Sequence, residues 1–168
     1  MWTLSLLPFL FQGLAILFDE FYFHVRRGLP KWERIGHPID TLSQLLTLSL
    51  LLFFPYGDWT LKLYGGAAIF SCILVTKDEF IHKEEAPWEE NWLHAVLFVL
   101  HPIALITAGI IFLSIHDPAI LPKPMIAFLN DKAALQFSLY GYFFSILTFF
   151  IYQVVFWNFI WKPKQPQA

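Results

Sequence analysis

Asp19-Glu20-Phe21-Tyr22-Phe23-His24 sets two acids and a histidine where a long apolar segment ends. It closes an apolar run that begins at Thr3, and Asp78-Glu79-Phe80-Ile81-His82 echoes it at the end of a later run. His37 and Asp40 open the segment after the first copy, and His94 and His101 sit in the segment after the second. Ionisable side chains are costly inside membrane-spanning helices and mark function there. Carboxylate plus imidazole without thiolate is a ligand set for a transition metal.

The chain around these groups is built for lipid. Of its 168 residues 57% are hydrophobic and 14% charged, against roughly 25% charged in a soluble domain. With 19 Phe and 7 Trp, it has more apolar surface than one small core can bury, so membrane lipids are its expected solvent. The net charge of -2 gives no nucleic-acid footprint. Cys72 is the single cysteine, so no internal disulfide forms and it reads as small-residue packing. No basic residue precedes the first apolar run, and a cleavable signal peptide is not expected.

Five segments reach the ~20 residues a bilayer requires, at about 3–25, 38–56, 59–82, 92–115 and 135–161. Gly65-Gly66-Ala67-Ala68 suits close helix approach in the third, and Pro102 interrupts the fourth. The stretch from Asp117 to Asp131 reads as a loop with a short interfacial helix near Met125–Leu129. Arg26, Arg27, Lys31 and Arg34, then Lys77 and Lys83, then Lys162 and Lys164, fall on one side of a five-span topology. The excess of basic residues places that side in the cytoplasm. The N-terminus is then outside and the C-terminus inside, in a bacterial inner membrane or its equivalent.

The polar residues suggest an internal repeat. Besides the two acid–His stretches, Trp32-Glu33 before His37 matches Trp88-Glu89 before His94, and His37-Pro38 matches His101-Pro102. Both copies are a descending helix, a short loop and an ascending helix. The expected fold is therefore all-α and polytopic: a four-helix bundle of two tandem hairpins about a pseudo-twofold axis, with a fifth, peripheral helix. The first hairpin covers 1–56, the second 57–116, an extracytoplasmic loop 117–134, and the fifth helix with its tail 135–168.

Helical spacing decides which groups meet. Glu20 and His24 are four apart, Glu79 and His82 three, His37 and Asp40 three, and His94 and His101 seven, so each pair shares a face. Glu79-x-x-His82 has the spacing of carboxylate-bridged di-metal sites in helical bundles. The expected metal ligands are Glu20, His24, His37, Asp40, Glu79, His82, His94 and His101, with Asp19 and Asp78 accepting hydrogen bonds from ligand imidazoles or replacing the neighbouring Glu. His101 lies about 10 Å deeper than His94 by helical rise and joins only if the site is sunken. Haem between two His is a further option, although it leaves the acids without a role.

Alternative roles are plain for several residues. The arginines can serve as the orientation signal or bind anionic headgroups or an anionic substrate, and ion pairs with Arg26 or Arg34 could neutralise some of the acids without any metal. Trp2, Trp59, Trp88, Trp92, Trp157 and Trp161 fit an interfacial aromatic belt. Glu33, Glu84, Glu85, Glu89 and Glu90 fit a solvated loop, with Glu33 and Glu89 within reach of the site. Eight nitrogen and oxygen donors suit two ions, iron or zinc, better than one four-coordinate zinc. The expected function is a non-haem di-iron oxidoreductase of hydroxylase or desaturase type acting on a lipophilic substrate. A zinc-dependent membrane hydrolase is one alternative, with Asp19 or Asp78 as base. The other is an accessory subunit with a structural metal, docked on a membrane-protein partner through its fifth helix.

Overall fold

The computed structural model describes residues 2–78 and 87–161. Among the described residues every regular element is helical: α1 (Trp2–Arg27), α2 (Lys31–Phe53), α3 (Asp58–Val75), α4 (Trp88–His116), the short α5 (Lys123–Phe128) and α6 (Lys132–Ile160). Four of these, α1, α3, α4 and α6, are long and apolar enough to cross a membrane. α2 is 23 residues long, but Lys31, Glu33, Arg34 and Asp40 make it more polar than the others.

Prolines place the helix starts. Pro30 and Pro87 stand in extended conformation immediately before α2 and α4, where a missing N–H costs nothing. α2 therefore begins at Lys31, seven residues ahead of the segment expected at 38, and continues through Pro38. That extension puts Glu33 on the same helix as His37 and four residues before it. α4 likewise starts at Trp88 and runs through Pro102. Each internal proline removes one backbone hydrogen bond, a loss that the packing around it sustains.

α2 is the central element. It packs on α3 and on α6, while α1 packs on α4. Leu45, Leu48 and Leu51 of α2 meet Leu105, Ile111 and Phe112 of α4 and Leu135, Leu139 and Phe143 of α6 in one apolar core. The outer surface is also apolar: Ile69, Phe70, Ile73, Ile106 and Phe137 are all more than half exposed. In water such a surface would be unstable, and in a bilayer it is ordinary.

Two packing expectations change. A Cβ on Gly65 or Gly66 would meet nothing within 4 Å, so neither serves close approach. Close approach occurs instead at α4, where Ala104 and Ala108 are fully buried, a Cβ on Gly109 would lie 3.1 Å from the Tyr64 ring, and the Tyr64 hydroxyl donates to the Leu105 carbonyl. The last helix, expected outside a four-helix core, is part of it. Leu135, Leu139, Phe143, Ile146, Gln153 and Trp157 are buried, because α6 carries inward-facing polar groups that only the bundle can satisfy: Tyr142 donates to Gln12, and Gln153 accepts from Thr41.

At the end of the bundle remote from the acid–His groups, Tyr56 donates to Asp117 at 2.8 Å and stacks on His116. The acceptor carboxylate raises the Tyr56 pKa above its ordinary value. At the other end, Gly28 turns the chain from α1 into α2 with φ 79 and ψ 147, a region open to glycine alone. A Cβ there would stand 2.6 Å from the Trp161 ring. Gly28→Ala is expected to destabilise the fold by about 1–3 kcal/mol from backbone strain alone, with the clash in addition. Thermal unfolding in detergent measures this, and an unchanged transition would contradict the turn geometry.

Candidate metal centre

The last turns of α1, Asp19–His24, are wound as a π-helix. So is Phe156–Ile160 at the end of α6. π turns are rare and concentrate at functional sites. Widening the turn on α1 carries the adjacent Asp19 and Glu20 inward together with His24, and all three are buried. The π turn of α6 brings Trp157 beneath them, 1% exposed.

Three helix ends meet at this level. Asp19, Glu20 and His24 come from α1, Glu33 and His37 from the start of α2, and Glu90 and His94 from the start of α4. Glu33 and Glu90 are 0% exposed. Arg27 joins them, its Nη1 and Nη2 donating to Glu33 at 3.2 and 3.0 Å and its Nη2 to Glu90 at 2.6 Å. Each imidazole has a carboxylate four residues before it: Glu20 for His24, Glu33 for His37 and Glu90 for His94.

The donor atoms close to the geometry of an ion. Asp19 Oδ2 lies 3.2 Å from His24 Nε2 and 3.2 Å from His94 Nε2, and His24 Nε2 lies 3.4 Å from Glu90 Oε1. Ligands about 2.0–2.2 Å from a tetrahedral ion are separated by roughly 3.3 Å. One donor atom from each of Asp19, His24, Glu90 and His94 lies within 4.8 Å of all the others, and all four residues are buried. Glu90 Oε2 is buried without a hydrogen-bond partner among the described residues, and His24 Nε2 meets its two carboxylates at 3.2 and 3.4 Å without hydrogen-bond geometry. A cation between them would satisfy both atoms, since a buried polar atom left unpaired costs about 1–3 kcal/mol or more.

The opposite nitrogen of His24 is fixed. Nδ1 lies 3.3 Å from Glu20 Oε2, and Glu20 Oε1 accepts from Trp157 Nε1 at 2.7 Å and from the Tyr152 hydroxyl at 3.0 Å. A carboxylate holding Nδ1–H leaves the Nε2 lone pair for a metal. His37 stacks on His24 with ring centroids 4.9 Å apart. His24, Glu33 and His37 form a second group of ligand type, which shares His24 with the first and whose Glu33 is held by Arg27.

The sequence-predicted residues thus divide. Glu20, His24, His37 and His94 come together. Asp19, expected behind the ligands, offers its oxygens directly between two imidazoles, while Glu20 takes the supporting place. Asp40 lines the same cavity, but Lys77 holds both of its oxygens at 2.6 and 2.8 Å. His101 sits deeper, with Nδ1 3.2 Å from Gln12 Nε2 and Nε2 2.9 Å from Ser71 Oγ. Both of its nitrogens are engaged by protein groups, against metal or haem ligation. Glu79 and His82 lie outside the described residues, as does the Asp78 side chain.

Three groups lie beyond what the sequence pattern indicates. Glu90, expected in a solvated loop, is a site carboxylate; its Glu-x-x-x-His spacing to His94, the same as at Glu20 and His24, is the one signal for it. Arg27, expected as an orientation charge, is a site cation. Trp157, expected in an aromatic belt, donates to Glu20, and nothing in the uncharged last segment signals it. A cavity of about 120 Å³ is lined by Asp19, Glu20, His24 and His94 and continues past Gln12, Thr41 and Gln44. Asp19→Asn and His94→Ala are each expected to lose most of the bound metal, and His116→Ala, at the opposite end, to keep it. Elemental analysis of the purified proteins decides, and equal metal in all three would refute the centre. No protein family, curated protein or solved structure matches the chain.

Proposed function

We propose that this protein is an integral-membrane metalloprotein whose His/carboxylate centre serves oxidation of a lipophilic substrate, as a non-haem di-iron oxidoreductase of hydroxylase or desaturase type. The observation that carries the reading is the set of 3.2–3.4 Å separations among Asp19, His24, Glu90 and His94. Charge points the same way. Among the described residues the cluster buries the carboxylates of Asp19, Glu20, Glu33 and Glu90 against the guanidinium of Arg27. Buried charge of one sign is not sustained without a counter-charge, and one or two divalent ions supply it. Nitrogen and oxygen donors without thiolate suit iron, and zinc as well.

Iron bound here would supply the activation of oxygen. The chain's own residues do the rest. Asp19, His24, Glu90 and His94 would hold a first ion, and a second would lie beside His37 and would have to share Glu33 with Arg27. Trp157 and Tyr152 hold Glu20, which fixes the His24 ring. Leu97, Phe98 and Phe149 line the same cavity beside its polar groups, which gives a hydrocarbon an apolar surface to rest on.

α1 and α6 both end beside the centre, and α2 and α4 both begin there. That alternation supports five crossings, with α2 as the polar, central one. The basic residues of the connections at this end favour the cytoplasmic side, with the N-terminus outside.

One observation favours a second reading. Arg27 already occupies the place between Glu33 and Glu90 that a second cation would take. A single zinc with Arg27 as its neighbour would make a membrane hydrolase or a structural staple in a larger complex. Elemental analysis with Mössbauer spectroscopy of the iron-57 protein tests the choice. The di-iron reading expects about two irons per chain, coupled through a carboxylate bridge. One zinc per chain, with no iron taken up on reconstitution, would overturn it.

A further inference from the structure

The metal cavity has an apolar neighbour. A cleft of about 620 Å³ runs along α1 and α6 from the level of Leu6 to that of Leu17. Gln12, Ile16, Thr41, Gln44 and Phe149 line both it and the cavity over the metal donors. The two spaces are therefore adjoining parts of one path. α1 packs on α4 and α6 packs on α2, so the face between α1 and α6 is left to the cleft.

We propose that this cleft holds one unbranched acyl chain of a membrane lipid, its polar end level with the metal centre and its tail toward Leu6. For the chemistry at the polar end the inference rests on the metal-centre reading; for the binding itself it does not.

Polarity sets the direction. The hydrogen-bonding groups gather at the junction. Gln44 Nε2 donates to the Tyr142 hydroxyl at 2.7 Å, Tyr142 donates to Gln12 Oε1 at 2.6 Å, and Gln12 Nε2 lies 3.2 Å from His101 Nδ1. Away from the junction the walls are Leu6, Leu10, Leu14 and Ile146. Ser138 and Ser145 also line the cleft, but their hydroxyls donate to carbonyls of their own helix, Ala134 and Gly141. A ligand passing them meets no unsatisfied donor, which suits methylene groups and penalises a polar molecule.

Length and access agree. The helix from Leu6 to Asp19 spans about 20 Å at 1.5 Å per residue, the reach of one extended acyl chain running from the metal centre toward the far end of α1. Leu10 and Leu14, each 53% exposed, form the outer lip, so entry is lateral from the bilayer. Gly13 provides the width, since a Cβ placed there meets nothing within 4 Å.

Photolabelling of the full chain in lipid nanodiscs tests this with two palmitate analogues, one with a diazirine beside the carboxylate and one with it at the methyl end. The first is expected on Ile16 and Phe149, the second on Leu6 and Leu10, as mapped by peptide mass spectrometry. Gly13→Trp should abolish both patterns with metal content unchanged. Ser145→Trp, from the opposite wall, should do the same and guards against misfolding of the first variant. Interchanged patterns, labelling that survives both substitutions, or labelling spread evenly over the exposed face of α3 would overturn the proposal. Protein without metal that still labels in the expected order would remove the metal centre and leave the acyl-chain site standing.

Discussion

Arg27 holds the start of α2 and the start of α4 in one hand, through Glu33 and Glu90, and the rest of the site depends on that grip. Neither carboxylate has any exposed surface. Leaving a buried charge of this kind without its partner typically costs about 3–5 kcal/mol, so the three helix ends can close only around the guanidinium. Once closed, they bring the acids and imidazoles of α1, α2 and α4 to a single level. Around His24 Nε2 they form a buried group of carboxylates and imidazoles that could hold a cation. By contrast, the Lys77–Asp40 pair lies in a partly exposed setting, where ion pairs contribute about 0–1 kcal/mol. It fastens α3 to α2 without being essential to either.

The bundle is layered along its length. The charged layer lies at one end. One layer deeper, neutral polar groups bond one another: Ser43 with Ser71, Ser71 with His101, His101 with Gln12, and Gln12 with Tyr142. Beyond them the core of α2, α4 and α6 is apolar. The neutral layer separates charge from hydrocarbon, and it borders both the metal cavity and the apolar cleft. The apolar cleft and the charged centre thus share a boundary made of neutral polar groups.

Both helices that end at the centre finish in a π turn. On α1 that turn carries Asp19, Glu20 and His24, all three buried. On α6 the same device places Trp157 under Glu20 while Trp161 covers Gly28. Trp157 is therefore part of the site, whereas Phe159 on the same turn stays exposed.

Much of this is legible in the sequence. Excess hydrophobicity implies lipid as solvent, and acids and imidazoles at the ends of apolar runs imply a centre at one end of a helical bundle. His24, His37 and His94 follow from those positions, because an ionised or ligating group on such a helix has few places to go. Local patterns cannot say that α2 starts before Pro38, that Glu90 is buried while Asp40 turns to Lys77, or that Trp157 supports Glu20. Those outcomes depend on which helices lie side by side, and partners such as Trp157 and Glu20, separated by 137 residues, meet only through packing. Composition and spacing point to lipid as the solvent and to a His/carboxylate cluster at one end of a helical bundle; which acid faces which base depends on tertiary packing, since a buried charge takes its partner from whatever neighbour the packing supplies.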